Sequence, residues 1–415
     1  MRWRSIGACV VAVLLSGPGC APPPGTPVGY DAIFVRDRVQ RWALQVGEQD
    51  YLQLLLHPDL YVEADLQIED RLYPSVGVRY MGQKRQPKRS LRIRFNEYLP
   101  GQRLHGVKRI NLRSPGDDPT LVREAVAYDL MRAAGLPASR ASLVTLSING
   151  GESGVYALVE QVDRKFLEDR FGEKDGQLYM LERGGTLVYE GDDPGLYPES
   201  VYELKSDHPP ELRSDLVDFI RVLDGPDADP WALAQVLDVE ACLRLWALHA
   251  WLVNLDSYPG TADKLYLYRD EGGRFHTIPW DLNESFGLYR GQSCDLDTDA
   301  RLARDPLDPT CGGERPLVDR LLEEPAWRDA YLDHLAELVD GALEPGRVME
   351  RIECWRRVSQ DAALDDRLVE DYTYEQMQAS FDEDLPVGDN PRRVPGLAPF
   401  VQARDAVCRR AVEER

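Results

Sequence analysis

The chain has 415 residues, of which 43% are hydrophobic and 29% are charged, values that are ordinary for a folded globular protein. Its 49 Lys and Arg residues against 71 Asp and Glu residues give a net charge of −22. Because such a charge repels phosphate backbones and anionic lipid surfaces, it argues against a general nucleic-acid-binding or membrane-surface protein.

Residues 1–19 have the pattern of a signal peptide. Arg2 and Arg4 precede an apolar run at 6–15, which is shorter than the roughly 20 residues that span a bilayer. Small residues then lead to Cys20, as at a bacterial lipoprotein cleavage site. We therefore predict an exported protein with a Pro-rich linker at 20–30, whose only contact with a membrane is a lipid anchor at Cys20. Ordinary secretion and an uncleaved anchor are the alternatives.

Export implies an oxidising compartment, so disulfides are expected among the remaining cysteines. Cys294 and Cys311 flank a turn-rich loop and are predicted to pair, and Cys354 with Cys408 is a second candidate pair. Cys242 lies within an apolar helical segment and is predicted to be a buried thiol.

Residues 31–165 are predicted to form a β-rich N-terminal region. The candidate elements are strands at 43–46, 51–56, 61–68, 76–80, 91–95 and 109–112, a helix at 121–134, and a hairpin of 142–148 with 155–159. In the strand 91–95, apolar residues alternate with Arg92 and Arg94, which gives the strand a basic outer face.

The rest of the chain is predicted to be mainly helical, with a region at 166–293 and a helical C-terminal extension at 294–415 that carries the disulfides. The candidate helices are 166–171, 212–223, 230–237, 240–253, 317–322, 327–339, 348–358 and 399–412. A loop or lid at 184–200, a short strand at 201–204 and a hairpin of 265–268 with 275–278 complete the region. The predicted class is therefore α+β, with a β-rich N-terminal part and a mainly helical C-terminal part.

Two aspartates flank the second hairpin. Asp256 follows the apolar helix 240–253, and Asp281 follows the return strand. Since the residues before the first strand and after the second lie at the same open end of a hairpin, these carboxylates should face one another. Such a pair suits a hard divalent cation such as Mg²⁺, or a division of labour in which one carboxylate orients a nucleophile. For each residue alone, a loop cap or turn former is the alternative reading.

The chain contains several short motifs whose joint order and spacing are specific for one protein family. They are GVRYMG (77–82), PKRSLRIRF (87–95), VRE (122–124) with GLPA (135–138), ING (148–150) with GVY (154–156), VEQVD (159–163) and IPWD (278–281). Together these motifs resemble the CotH family of spore-coat-protein-H-like kinases, from about residue 35 to the C-terminus. The resemblance implies an atypical protein-kinase-like fold that transfers phosphate from ATP to Ser in secreted or surface proteins.

By that resemblance, Asp256 is the catalytic residue and Asp281 is the Mg²⁺ ligand. The chain departs from the family pattern at 261–264, where Asn residues are usual and Asp263 stands in their place, and at Asn283, where a second acid is usual.

The same resemblance implies the nucleotide-binding residues. Lys88 is the candidate phosphate contact, with Glu124 on the following helix as its orienting partner. Arg92 or Arg94 could take the place of Lys88. Glu160 lies in the stretch that would border the nucleotide base. A solvated strand charge for Lys88 and a helix-dipole acid for Glu124 are the structural alternatives.

The sequence thus predicts an exported enzyme that uses ATP and Mg²⁺ to phosphorylate Ser, or a similar hydroxyl, of a secreted or surface protein. No nucleic-acid partner is expected. The alternative is a catalytically inactive, kinase-like surface lipoprotein that acts as a binding or scaffolding module.

Overall fold

The computed structural model describes residues 29–82, 88–206, 213–291, 294, 296–369, 371–387 and 390–415. The predicted signal peptide, the lipid attachment at Cys20 and nearly all of the predicted linker lie outside the described residues. Within the described ranges, no helix combines the length and the apolar character needed to cross a membrane.

The N-terminal half contains seven strands, which are β1 (Gln40–Val46), β2 (Val62–Ile68), β3 (Arg71–Tyr80), β4 (Leu91–Arg94), β5 (Arg109–Arg113), β6 (Ala141–Ile148) and β7 (Ser153–Glu160). They form a closed barrel in the order β1-β2-β3-β4-β5-β7-β6, and the parallel pair β1–β6 closes it. Apolar residues that alternate along the strands, such as Leu91 and Ile93 of β4, are fully buried in the barrel interior. Because side chains alternate between the two faces of a strand, the arginines of β4 lie on the outer face.

Helix α1 (Glu48–Leu56) stands where the sequence predicted a strand at 51–56, and that prediction is wrong. Of its apolar residues, only Leu54 is buried, while Leu52 and Leu56 are exposed. A short apolar run does not by itself distinguish a strand from a helix. Acidic residues in the first turn, Glu48 and Asp50, favour the helix through its dipole.

The other elements are α2 (Arg123–Ala133), α3 (Arg164–Phe171), β8 (Gln177–Leu181), β9 (Tyr202–Leu204), α4 (Ser214–Asp224), α5 (Pro230–Val236), α6 (Val239–Leu252), α7 (Tyr258–Thr261), β10 (Leu265–Arg269), β11 (Phe275–Pro279), α8 (Thr298–Leu302), α9 (Pro316–Glu323), α10 (Pro325–Asp340), α11 (Pro345–Leu364), α12 (Tyr374–Ala379), β12 (Leu385–Val387), β13 (Asn390–Val394) and α13 (Leu397–Glu413). Strands β11-β10-β8-β9 form a second sheet, and β12 pairs with β13. The strand β8 and the β12–β13 pair were not predicted. The predicted α+β class, with a β-rich N-terminal part and a helical C-terminal part, is confirmed.

Two large hydrophobic cores and one small cluster of Leu288, Leu385 and Val394 support this architecture in the described part of the chain. One fills the barrel, and the larger one joins α2 and α6 with the C-terminal helices α10, α11 and α13. Helix α2 lies in the larger core, because its residues Val126, Tyr128 and Leu130 are fully buried there together with Trp355 of α11. The C-terminal helices therefore build the same core as the central helix α6.

The cysteines follow the predictions in part. Cys294 and Cys311 form the predicted disulfide, and Cys242 is a buried free thiol. Cys408 is also a free, buried thiol, so the predicted Cys354–Cys408 pair is wrong. The thiol of Cys408 packs on α13 beside the buried guanidinium of Arg404, one turn away on the same helix.

Candidate functional site

Asp281 lies at the open end of the β10–β11 hairpin, where the register pairs Leu265 with Pro279. Its φ of 56° is in the left-handed region, which few residues other than glycine adopt. The Asp281 backbone N–H donates to the Tyr128 hydroxyl of α2 at 3.1 Å. The turn that presents this buried carboxylate is thus fixed directly by helix α2.

One guanidinium joins the acids on the two sides of the site. Arg113, the last residue of β5, forms an ion pair with Asp281, and its Nε lies 3.6 Å from Glu124 Oε1 in the first turn of α2. Burial raises the pKa of Glu124 to about 6, and the charge of Arg113 opposes this rise. The Arg113 bridge therefore connects the barrel, helix α2 and the hairpin.

Asp256 lies half-buried between α6 and α7, close to a further acid. Burial raises the pKa of Asp263 to about 6, the charge of Lys264 lowers it, and the charge of Asp256 raises it. Lys264 Nζ is 3.8 Å from Asp263 Oδ1 and 3.7 Å from Asp281 Oδ2. Lys264 thus lies between Asp263 and Asp281, Arg113 lies between Asp281 and Glu124, and Asp256 acts electrostatically on Asp263.

The short helix α7 holds the Asp256 loop in a fixed shape. A Cβ on Gly260 would lie 2.0 Å from the carbonyl oxygen of Leu255, so only glycine fits there. The buried Arg315 donates to the carbonyls of Tyr258 and Gly260, both at 3.1 Å. Cys311 N–H also donates to Gly260 at 3.1 Å, so the Cys294–Cys311 disulfide links this loop to the segment that follows Asp281.

Lys88 does not meet Glu124, although the sequence predicted that pair. Its ammonium forms a buried ion pair with Asp366, which follows α11. Burial lowers the pKa of Lys88, and Asp366 opposes this. The same carboxylate accepts a hydrogen bond from Val155 N–H at 2.7 Å. Lys88 therefore anchors the end of α11 to the barrel, and the cation that reaches Glu124 is Arg113.

Arg92 extends the site along the outer face of the barrel. Its Nε donates to Asn111 at 2.9 Å, Asn111 donates to Gln161 at 3.2 Å, and Gln161 donates to the Tyr266 hydroxyl of β10 at 3.3 Å. Within the described residues, Arg92 forms no ion pair with a carboxylate. A guanidinium without a carboxylate partner is well suited to a phosphate. By contrast, Arg94 is paired with Glu97 at 2.9 Å.

The carboxylate of Glu160 is held by two arginines. It accepts hydrogen bonds from Arg140 N–H, Arg140 Nη1 and Arg170 Nη2, each at 2.9 Å. Burial raises its pKa, and Arg170 and Arg140 oppose the rise. The side chain thus joins β7 to α3, while the next residue, Gln161, contacts Tyr266 between the two halves. A role for Glu160 beside the nucleotide base stays a prediction.

The oxygen atoms of Asp281 and Asn283 are suitable ligands for a Mg²⁺ ion that is bound together with a nucleotide. In proteins Mg²⁺ commonly takes one or two carboxylates and completes its shell with phosphate oxygens and water. Asp281 supplies one carboxylate, and the buried Asn283 Oδ1 has no hydrogen-bond partner in the described part of the chain. In the same part of the chain, no group of three or more His, Cys, Asp or Glu residues is arranged to hold a metal alone. A cavity of about 460 Å³ lined by residues such as Asp308, Asp319 and Arg320 shares no residue with this site.

Replacing Glu124 with Gln should alter the pH dependence of stability. The pKa of Glu124 is raised from 4.5 to about 6, so its stabilising contribution is full below pH 4.5 and is lost as the pH rises through 6. Because Gln stays neutral, the free energy of unfolding of Glu124→Gln relative to wild type should rise by about 2 kcal/mol between pH 4 and pH 8. Urea unfolding at several pH values measures this, with Glu97→Gln beside it as the control. A difference that does not change with pH would contradict the assignment.

Sequence reasoning missed Arg113, although a signal was present. The predicted strand 109–112 alternates apolar and polar residues, and Arg113 continues the polar face at the end of the strand that precedes the helix with Glu124. The predicted phosphate contacts, Lys88, Arg92 and Arg94, lie one strand earlier, in the Lys- and Arg-rich stretch around β4. No local signal marks Asp366 as the partner of Lys88, because the two residues are 278 positions apart.

Comparisons with known proteins agree with the motifs. Inner spore coat protein H of Bacillus subtilis is 26% identical over 265 residues, which are 59% of this chain and 65% of that protein. Spore coat protein homolog 1 of Rhizopus delemar is 23% identical over 234 residues, which are 54% of this chain and 37% of that protein. The chain thus spans less than two thirds of the length of these curated relatives.

Among solved structures, the Helicobacter pylori proinflammatory kinase CtkA has a TM-score of 0.35 and 12% identity, covering 74% of this chain and 91% of that chain. This likeness is too weak to carry any residue assignment. The family described as CotH kinase protein matches residues 78–394, which is most of the chain. The resemblance predicted from the motifs is confirmed, and the chain belongs to the CotH kinase protein family.

Proposed function

We propose that the protein is an exported, Mg²⁺-dependent phosphotransferase that moves phosphate from ATP to Ser, or a similar hydroxyl, of a secreted or surface protein. The Arg113 bridge is the observation that carries this proposal. It joins a helix acid, Glu124, to the proposed metal-binding acid, Asp281, through one largely buried guanidinium. In protein kinases a cation paired with a helix Glu and a metal-binding Asp must both be in place, because catalysis rests on positioned charges around the phosphates.

Each side chain has a distinct task in this proposal. Asp281 holds Mg²⁺, which would supply charge neutralisation at the transferred phosphoryl group. Arg113 and Arg92 bind phosphate oxygens from the barrel side, while Glu124 holds Arg113 in position. Asp256 accepts the proton of the attacking hydroxyl.

The place of action rests on the relatives and on the N-terminal sequence. The names of the curated relatives refer to the spore coat, a surface structure. The predicted signal peptide and the predicted lipid anchor at Cys20 agree with a position outside the cytoplasm. Export and anchoring are therefore part of the proposal.

A catalytically inactive binding or scaffolding module is the second candidate. One observation favours it: Asp281 is already flanked by two cations, Arg113 and Lys264. Both charges compete with a metal ion for the same carboxylate. An active enzyme must move Lys264 or Arg113 onto phosphate oxygens when the nucleotide binds.

Replacing Asp256 with Asn separates binding from chemistry. The variant should keep the thermal stabilisation by MgATP, because among the described residues Asp256 forms no ion pair or hydrogen bond with Arg113, Glu124 or Asp281, and it should lose phosphotransfer by about a hundredfold or more. Phosphotransfer is measured as ADP release and as incorporation of the γ-phosphate into the protein or an added acceptor. Asp218→Asn, on the exposed side of α4, is the matched control. Equal phosphotransfer by wild type and Asp256→Asn would overturn the assignment.

A further inference from the structure

Helix α2 carries Glu124 but is built into the C-terminal half of the molecule. Its residues from Arg123 to Met131 are all buried. They pack in the larger core with α6 and α11 and are not part of the barrel interior. The position of Glu124 therefore depends on segments far along the chain.

The most directional of these contacts is made by α11. The indole Nε1 of Trp355, a fully buried residue, donates to Asp129 Oδ2 on α2 at 2.9 Å. Arg36 forms an ion pair with the same carboxylate, and its guanidinium lies 5.7 Å from the centre of the Trp355 ring. Because Asp129 is only 4% exposed, moving α2 would take a buried carboxylate away from both partners.

A second contact holds the first turn of the same helix. The buried guanidinium of Arg123 pairs with Asp118 and donates to the carbonyl of Pro395, directly after β13. Arg123 immediately precedes Glu124 in the chain. The residues around Pro395 thus fix the turn that presents Glu124 to Arg113.

The C-terminal end of α11 is tied to the barrel as well. Asp366 pairs with Lys88 and accepts from Val155 N–H of β7. Arg367 N–H donates to Ser153 in the same strand at 3.4 Å. Helix α11 therefore connects α2, which carries Glu124, with the barrel, which carries Arg113.

We propose that Trp355, Asp366 and the carbonyl of Pro395 form a C-terminal brace that positions helix α2, and with it Glu124, for nucleotide binding. Trp355 is a positioning residue in this brace, acting through Asp129. The inference rests on the proposed function, since it concerns the same site. In many protein kinases this helix swings, and its position controls activity. Here the brace keeps the Arg113 bridge assembled without an activating partner or a phosphorylated loop.

The chain offers a matched pair of tryptophans for the test. Trp355→Phe removes the N–H that reaches Asp129 and keeps an aromatic ring. Trp246→Phe makes the same change at another fully buried tryptophan, whose Nε1 donates to the Leu317 carbonyl at 3.2 Å within the helical half. Both variants should lose a similar amount of thermal stability. The two variants should differ in the hydrogen exchange of the α2 amides and in the Kd for MgATP.

Three quantities are measured on the full-length protein: the melting temperature, hydrogen exchange of the α2 amides, and the Kd for MgATP. For Trp355→Phe we expect α2 exchange to become faster and the Kd to rise, each on the order of tenfold, while Trp246→Phe changes neither. Unchanged α2 exchange in Trp355→Phe, or the same response in both variants, would overturn the brace.

The hydrogen-exchange result does not depend on nucleotide. If wild type shows no MgATP binding, the proposed function fails while the exchange data still decide whether the brace exists. If Trp355→Phe does not fold, Asp129→Asn provides the second variant. It keeps an acceptor for Trp355 but removes the charge that pairs with Arg36, and it should accelerate α2 exchange to a smaller extent; no acceleration would count against the brace.

Discussion

Asp281→Asn is expected to abolish the stabilisation of the folded protein by MgATP. A ligand that binds only the folded state adds RT ln(1 + [L]/Kd) to the free energy of unfolding, which is about 2.7 kcal/mol at a hundredfold excess over Kd. Asn has nearly the same shape as Asp but lacks the charge that a hard divalent cation requires. The variant should therefore fold and yet show no Mg²⁺-dependent shift in melting temperature.

Two comparisons make the result decisive. The first is wild type with ATP and a chelator in place of Mg²⁺, and the second is Asp218→Asn, which changes an exposed aspartate of α4. Asp281→Asn does not strain the left-handed turn, because Asn tolerates a positive φ as well as Asp does. A full shift in Asp281→Asn would exclude this residue as the metal ligand. No shift in wild type at millimolar MgATP would favour the scaffolding alternative.

Arg113→Ala is expected to be the most destabilising single change at the site. It would leave Glu124 and Asp281 without the cation they share, and removing one partner of a buried ion pair costs about 3–5 kcal/mol. Lys264 still reaches Asp281, so the lower end of that range is expected. Urea unfolding at pH 7 measures the loss, and MgATP binding should be lost with it.

Arg94→Ala is the matched control for this change. Arg94 lies on the neighbouring strand, is partly exposed and pairs with Glu97, so its loss should cost no more than about 1 kcal/mol. Arg113→Lys should recover part of the stability but little of the nucleotide binding, because an ammonium cannot bridge two carboxylates as a planar guanidinium does. The cost of Arg113→Ala should shrink towards pH 5, where Glu124 becomes neutral in the folded state. A cost equal to that of Arg94→Ala would contradict the bridge.

Features set by neighbouring residues were predictable from the sequence. The alternation of Leu91 and Ile93 with arginines marked β4 and its basic outer face. The turn between β10 and β11 marked the hairpin whose open end carries Asp281. A turn-rich loop between Cys294 and Cys311 likewise indicated their disulfide.

Contacts between residues that are far apart in the chain were not predictable in the same way, because they depend on how distant segments pack. The sequence predicted that Lys88 and Glu124 contact one another. In the structure Lys88 instead forms an ion pair with Asp366, and Glu124 forms one with Arg113. Cys408 was a reasonable partner for Cys354 by composition, yet it points into the core as a free thiol. In each case the sequence indicated the correct kind of side chain, but the packing of distant segments determined which residue it contacts. The catalytic and metal-binding roles of Asp256 and Asp281 stay predictions that the variants above test.

The parallel pairing of β1 with β6 has a consequence for how the chain must fold. Gln40 of β1 pairs with Val144 of β6, so the barrel is closed by residues about a hundred positions apart. Until β6 is in place, one side of β1 presents unpaired backbone groups on which another chain can add a strand. Contacts of such long sequence separation form slowly, because the loop must close before they contribute. The newly made chain is therefore most vulnerable to aggregation in the interval between the appearance of β1 and the arrival of β6, and closure of the barrel ends that interval.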